Sequence, residues 1–350
     1  MIQTQKTPII SPVARPTIAD VARDCRMNKS TVSRALNLPP DQYPLRPETR
    51  QQILDAAARL GYSPSWTARS LSARRTRQIG LLFRYSLPEM RGIYGDITQG
   101  LSAELERAGY HLLFVPLHGD NWQQTLRGNQ FDGCVIHDVD VSGTLDLVRS
   151  MGLPVVVLNN VVPASDVSTV APDDGQGTRL AVEHLLGLGH RKIAYLRMGR
   201  GSDAAHFSIK VRRDAYLRAM RDAGLAEHAL AADEPIDQFL DRVPVGVPGG
   251  YTAVVLYSHT EGVLMLRHLT RRGLRCPGDV SLVAFNDTFP MADLSPAFTT
   301  VAVPGDAIGR AGARLLLQQL NATGDPVARQ TVLPETLVVR ESTAPLAAGK

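Results

Sequence analysis

From residue 79 onward the sequence alternates between two kinds of pattern, and that alternation leaves few folds open. IGLLF (79–83), YHLLFVP (110–116), FDGCVIHDV (131–139), PVVVLNN (154–160), KIAYLRM (192–198), TAVVLYS (252–258) and VSLVAF (280–285) are short apolar runs of buried-strand type. Between them, 92–108, 142–151, 174–188, 207–223, 260–272 and 305–320 carry apolar residues at helical spacing. Strand alternating with helix predicts parallel sheets with helices on both faces. Seven such runs exceed one simple sheet, so two α/β lobes are expected. Ligands in such folds sit at the carboxyl ends of the strands. The cleft candidates are therefore Arg84–Leu87, Asp138–Ser142, Asn159–Asn160, the loop up to Arg212, Tyr257–Thr260 and Asn286–Phe289.

The first 78 residues follow another rule. In TIADVARDCRMNKSTVSRAL (17–36), Ile18, Val21, Ala22 and Cys25 form one helix face, with Thr17 and Asp20 at capping-box spacing. The apolar run breaks at Arg26–Met27, and Asn28 is a good N-cap for a second helix. That helix keeps Val32, Ala35 and Leu36 inside and Lys29, Ser30, Ser33 and Arg34 outside. Two short helices joined by a tight turn make a helix-turn-helix. Short hydroxyls reach phosphates and base edges, and Lys and Arg supply phosphate attraction or bidentate contacts to guanine. A four-proline loop, NLPPDQYPLRP, precedes a third helix that opens at Pro47 and closes at Gly61. Residues 63–78 read either as a basic linker or as a short hinge helix that folds on DNA and wedges an apolar side chain into the minor groove. Residues 1–16 read as a disordered tail, 17–62 as the helical head and 79–343 as the two-lobed core.

Charge follows the same division. Residues 1–78 hold 13 basic and 5 acidic residues, a net +8, whereas 79–350 hold 25 and 29, a net −4. A basic head on a mildly acidic body reads as a nucleic-acid contact joined to a part that need not touch nucleic acid. There is no run of 18 apolar residues and no leader-type apolar stretch, so a cytoplasmic protein is expected. Cys25, Cys134 and Cys276 have neither zinc nor disulfide spacing. His118, His137, His184, His190, His206 and His259 are scattered without metal-ligand spacing, and His184 and His190 read as capping or packing residues. Asp138–Asp140 and Asp173–Asp174 read as loop and interface residues rather than a catalytic pair, and Arg271–Arg272 as a helix-end pair. Gly199, Gly201 and Ser202 lack dinucleotide-fingerprint spacing, and no nucleophile elbow is present. Neither a cofactor, a metal nor an enzymatic activity is expected.

TIADVAR…NKSTVSRALN, ETRQQILDAAARLGYSPSWTARSL, RTRQIGLLF, DDGQGTRLAVEHLLGLGHRKIAYL, CPGDVSLVAFND, SPAFTTVAVP and ETLVVRES stand in order along 17–343. In these the chain resembles the lactose-repressor (LacI/GalR) family of bacterial transcription factors. The resemblance implies an all-α helix-turn-helix head, a hinge helix at 64–72, and a core similar to periplasmic binding proteins. Its lobes would be 79 to about 162 plus about 300–325, and about 163–290 plus the C-terminal strand, closing on a small molecule. It implies a homodimer, or a tetramer, on palindromic operator DNA. Lys29, Ser30 and Thr31 match base-reading positions; Ser33, Arg34 and Asn37 match positions near phosphates; Leu71 matches the hinge leucine. Thr17, Asn28, Ser65, Ala68 and Arg74 complete the candidate DNA-binding set, and Tyr85, Ser86, Asn159, Phe207, Arg212, Tyr257, Ser258 and Asn286 the effector-binding set.

The departures matter too. Arg26 stands where the family usually has Gly, the 37–47 loop is about three residues longer than usual, and Arg46 replaces a capping Ser/Thr. Asn159 and Asn286 stand where acidic residues are common, and Ser258–His259 replace an Asn-Asp pair, while Arg212 is kept. Lost carboxylates beside a kept arginine favour an anionic ligand such as a sugar acid or sugar phosphate. A neutral sugar held through amides, and a core that dimerises but no longer senses a sugar, are the readings left beside it. The expectation is a repressor controlled by a sugar or sugar derivative bound between the lobes.

Overall fold

The computed structural model describes residues 16–38, 40–63, 75–84, 92–117, 122–128, 131–137, 142–162, 166–198, 206–322, 324 and 327–346. The chain divides into two units, 1–76 and 77–350.

In the first unit, α1 (Ile18–Asp24), α2 (Lys29–Asn37) and α3 (Pro47–Leu60) enclose a small core of Val21, Ala22, Cys25, Val32, Ala35, Ile53, Ala56 and Ala57. Val21, Val32 and Ile53 are fully buried, each contributing about 1.5–3 kcal/mol. The amide and hydroxyl of Thr17 both donate to Asp20, at 2.8 and 2.7 Å, and these bonds hold the Asp20 carboxyl below its ordinary range. Arg26 has φ +54°, the left-handed conformation a glycine takes freely, at a cost of about 1–2 kcal/mol for a side chain. The turn forms nonetheless, because Met27 N–H reaches Ala22 C=O at 2.9 Å and Asn28 Oδ1 caps the next helix by accepting from Ser30 N–H at 3.0 Å.

The second unit holds two six-stranded sheets. The first contains β1 (Gln78–Phe83), β2 (His111–Pro116), β3 (Gly133–Ile136), β4 (Val155–Leu158), β5 (Ser168–Pro172) and β11 (Gln330–Leu333), in the order β11-β5-β4-β3-β1-β2, all parallel. The second contains β6 (Ile193–Arg197), β7 (Leu230–Asp233), β8 (Ala253–Leu256), β9 (Ser281–Phe285), β10 (Thr299–Ala302) and β12 (Thr336–Val338), in the order β12-β10-β9-β8-β6-β7. There only β12 runs antiparallel. The helices are α4 (Ile93–Arg107), α5 (Trp122–Gly128), α6 (Ser142–Ser150), α7 (Asp174–Gly187), α8 (Phe207–Asp222), α9 (Ile236–Arg242), α10 (His259–Arg271) and α11 (Gly305–Asn321).

All seven apolar runs contain strands and all six helical patterns are helices, with ends that agree within three residues. Strands β5, β7, β10, β11 and β12 and helices α5 and α9 carry signals too short or too polar to read alone. The lobe boundaries differ from expectation. The first lobe extends to 172, because β5 pairs with β4; 299–302 belongs to the second lobe, because β10 pairs with β9; and β11 returns to the first. The chain therefore changes lobe at residue 173, at 303–304 and at 334–335.

Helix α11 packs on α4 in the first lobe through glycines. A Cβ on Gly309 would stand 2.0 Å from Ile97 O, and one on Gly100 would stand 2.1 Å from Asp306 O. Backbone meets backbone here, so no side chain can give way.

Candidate nucleic-acid interface and effector cleft

On α2, Lys29, Ser30 and Arg34 are exposed and Thr31, Ser33 and Asn37 half-buried, so one face presents hydroxyls and cations together. Part of the expected set also has work inside the head. Thr17 and Asn28 are caps, and Asn37 donates to Ser33 C=O at 2.8 Å. Ser65, Ala68, Leu71 and Arg74 lie outside the described residues.

The cleft residues sit where the strands end. Asn159 follows β4 and Asn286 follows β9, in matching settings: Asn159 N–H donates to Val170 C=O at 2.8 Å, Asn286 N–H to Val301 C=O at 2.9 Å. Both take a left-handed backbone, φ +54° and +70°, which asparagine tolerates better than most residues. Asparagine and aspartate both tolerate this backbone, so it accounts for a short polar side chain at each position but not for the amide.

Arg212, 5% exposed, lies on α8 inside the second lobe. Its Nε donates to Asp174 Oδ1 at 2.5 Å and its Nη1 to Tyr257 C=O at 2.6 Å. The guanidinium lies 3.8 Å over the Phe285 ring and 5.0 Å over that of Tyr257. Glu335 Oε1 stands 4.0 Å from Nη2, and the side chains of Asp174 and Glu335 have no exposure at all. Asp174 lies beside the first change of lobe and Glu335 on the third, so Arg212 reaches two of the three crossovers. Two buried carboxyls share one guanidinium, so one of them keeps a proton. Burial, and then the Asp174 charge, push Glu335 up to about 9; burial raises Asp174 too, against the opposing pull of Arg212.

A second chain of bonds crosses between the lobes. Tyr257 OH and Ser208 Oγ are 2.8 Å apart, Ser208 Oγ and His206 Nδ1 2.7 Å, and His206 Nε2 and Asn159 C=O 2.8 Å. Since Nδ1 accepts from Ser208 N–H, the ring proton sits on Nε2 and donates to Asn159. Burial, then nearby Arg212, hold the His206 imidazole down at about 4, so it is neutral at physiological pH.

The structure thus links Asn159, Arg212 and Tyr257, with Phe207 tilted against His206 at 5.0 Å between ring centroids. Ser258 caps α10 and donates to the buried Glu261. Asn286 stands 3.5 Å from His259 Nδ1. Tyr85 and Ser86 lie outside the described residues, as does Asp138–Asp140. Sequence reasoning missed His206, Ser208, Asp174 and Glu335: they carry no periodic signal, and only the fold brings them to Arg212 and Asn159. His190, by contrast, bonds Thr252 at 2.8 Å and Ser281 at 3.0 Å, a packing role. Among the described residues there is no cluster of three or more His, Cys, Asp or Glu fit for a metal, and no helix long and apolar enough to cross a membrane.

The comparisons with known proteins agree with this geometry. Residues 17–65 match the family described as bacterial regulatory proteins, lacI family, and residues 182–343 match the periplasmic binding protein-like domain. The chain belongs to the lacI family. This lacI-family protein is 27% identical over 337 residues to the ribose operon repressor of Haemophilus influenzae, covering 93% of this chain and 98% of that one. It superimposes on the transcriptional regulator CelR in its cellobiose complex with a TM-score of 0.66 at 27% identity, over 94% of this chain and all of that one. On the lac repressor dimer bound to operator and the anti-inducer ONPF the TM-score is 0.78 at 23% identity, over 94% and 99% of the two chains, a likeness of fold. The lacI-family relatives are DNA-binding transcriptional regulators rather than enzymes, and this protein is one of them.

Proposed function

We propose that this lacI-family regulator is a homodimeric repressor whose cleft binds a neutral carbohydrate. The observation that carries the ligand class is the pairing of Arg212. Its charge is already matched by Asp174, and Glu335 adds a second buried carboxyl 4.0 Å away. An anion entering there would meet no unmatched positive charge and would lose hydration against carboxylates. A neutral polyhydroxy ligand meets instead hydroxyl and amide groups at Ser208, Ser258, Asn159 and Asn286 and the Phe207 and Tyr257 rings. The likeness to a cellobiose-bound regulator supports the same class. The pairing of Arg212 therefore outweighs the argument for an acid that the two asparagines supply.

Closure would be read through the three lobe crossings and the His206–Asn159 bond, shifting how two heads are presented to DNA. A coupling of about 1–3 kcal/mol suffices for a useful switch. A dimer brings two heads of net +8 to one duplex, which supports the palindromic reading.

Calorimetric titration of the full chain with neutral mono- and disaccharides, sugar acids and sugar phosphates tests the ligand class. Binding by a neutral sugar with no heat from the acids is expected. Tighter binding of an acid or phosphate would overturn it, and silence from every carbohydrate would favour a core that only dimerises. At the hinge, Leu71→Ala should weaken specific DNA binding about tenfold or more while sedimentation still reports a dimer. Unchanged affinity would remove the wedge role.

A further inference from the structure

The loop between α2 and α3, which the resemblance makes about three residues longer than usual, is tied to the head by a side chain of α3. Arg50, from α3, ties it to α2 through three backbone carbonyls: Nη1 donates to Ala35 O of α2 at 2.8 Å and to Leu38 O at 3.1 Å, and Nη2 to Tyr43 O at 2.7 Å. Two residues on, Leu45 packs against the core of the head. Tyr43 is therefore pinned on both sides, by its own carbonyl and through Leu45, and Pro40 and Pro44 restrict the backbone next to it. Its ring lies under the guanidinium of Arg34, 5.6 Å from centroid to Cζ. Arg34 is exposed and shares the outer face of α2 with Lys29, Ser30 and Ser33.

A free arginine samples many rotamers, and ordering it on DNA costs entropy. A ring stacked on one guanidinium face leaves the N–H edges free, so the same stacking that orders the side chain leaves its donors available to a base or phosphate. We infer that Tyr43, on the extended loop, is a positioning residue that pre-orients Arg34 for a sequence-dependent DNA contact. The inference rests on α2 being the recognition helix. The extended loop is then a specificity element of this regulator.

A cation–π contact at an exposed site is worth about 0.5–1 kcal/mol, which converts to about 2- to 5-fold in affinity per half-site and about 5- to 25-fold on a palindrome. The probe is the duplex recovered by selecting random DNA with the full-length wild-type protein, set against a random-sequence duplex of equal length. Tyr43→Ala should lower affinity for the selected duplex by that factor and leave the random duplex unchanged. Tyr43→Phe should behave as wild type. In an Arg34→Ala background Tyr43→Ala should have no further effect, and reselection with Tyr43→Ala should relax the preference at the base positions that Arg34→Ala also relaxes. An equal loss on both duplexes, or a loss that adds to that of Arg34→Ala, would overturn the positioning role. If Arg34→Ala itself leaves DNA binding unchanged, the recognition-helix reading fails instead, so the two failures are distinct.

Discussion

Arg212→Ala should lower the melting temperature of the core by about 6–20 °C and abolish any effector response. The substitution leaves Asp174 and Glu335, both without exposure, facing each other with no cation between them. Breaking a buried ion pair by removing one partner costs about 3–5 kcal/mol, and in a unit of this size each kcal/mol is worth roughly 2–4 °C. The loss should deepen as pH rises. Burial already holds both carboxyls above their ordinary values. Between the unfolded and folded values the native state binds more protons than the unfolded chain, so stability falls with rising pH. Without Arg212 both values climb further and the window widens. The companion variant Glu335→Gln removes the Glu335 share of that dependence and leaves the Asp174 share. It should be more stable than wild type, by an amount that grows from pH 4.5 toward about 9 with a slope of at most about 1.4 kcal/mol per pH unit. Thermal melts of wild type and both variants at pH 5, 7 and 8.5 check this. A Glu335→Gln protein less stable than wild type at every pH would mean that Glu335 is ionised in the native state.

Gly309→Ala should destabilise the core by about 3 kcal/mol, at the upper end of what an added methylene costs in a packed interior. The new Cβ would stand 2.0 Å from the carbonyl oxygen of Ile97 and 2.6 Å from the amide nitrogen of Leu101. Those atoms are the backbone of α4 and have no rotamer to change, so α4 and α11 must separate. Their shared core includes Ile97, Leu101, Ile308 and Leu316, all fully buried, and separation would loosen it. Gly128→Ala is the control, because nothing lies within 4 Å of a Cβ placed there. Urea denaturation of the two variants compares them. An equal, small effect at both positions would show that the helices adjust without cost.

The strands and helices were legible because their periods were strong. VVVL at β4 and SLVAF at β9 bury every residue, and no other local structure explains such runs. The head was legible through caps: Thr17 with Asp20, and Asn28 ahead of Lys29, do what their spacing predicts. The positive φ at Arg26 follows from the tight turn, even though the residue there is not the one a left-handed position favours. What failed was the edges and the crossings. Strands β11 and β12 are edge strands in which no residue of β11 and none of Thr336–Val338 is fully buried, and neither carries a long apolar run. The first lobe was ended about ten residues early because the burial of Ser168 and Thr169 in β5 comes from sheet pairing rather than from their own side chains.

The cleft shows the same limit more sharply. The sequence singled out Arg212 by motif and Tyr257 by its place after β8, and the structure brings the two together. That Arg212 is matched by a carboxylate was not legible, since Asp174 and Glu335 are 161 residues apart and meet only because both lie at changes of lobe. Nor was the bond from His206 to Asn159, which joins residues 47 apart across two lobes. The sequence by itself determined the architecture: a basic three-helix head and two α/β lobes, because periodicity and charge are local properties. The tertiary structure alone decided the electrostatics of the cleft and the seating of Tyr43 under Arg34. Both depend on which distant groups share a small volume, and at 3–6 Å it is the partners in that volume that set a side chain's charge and orientation.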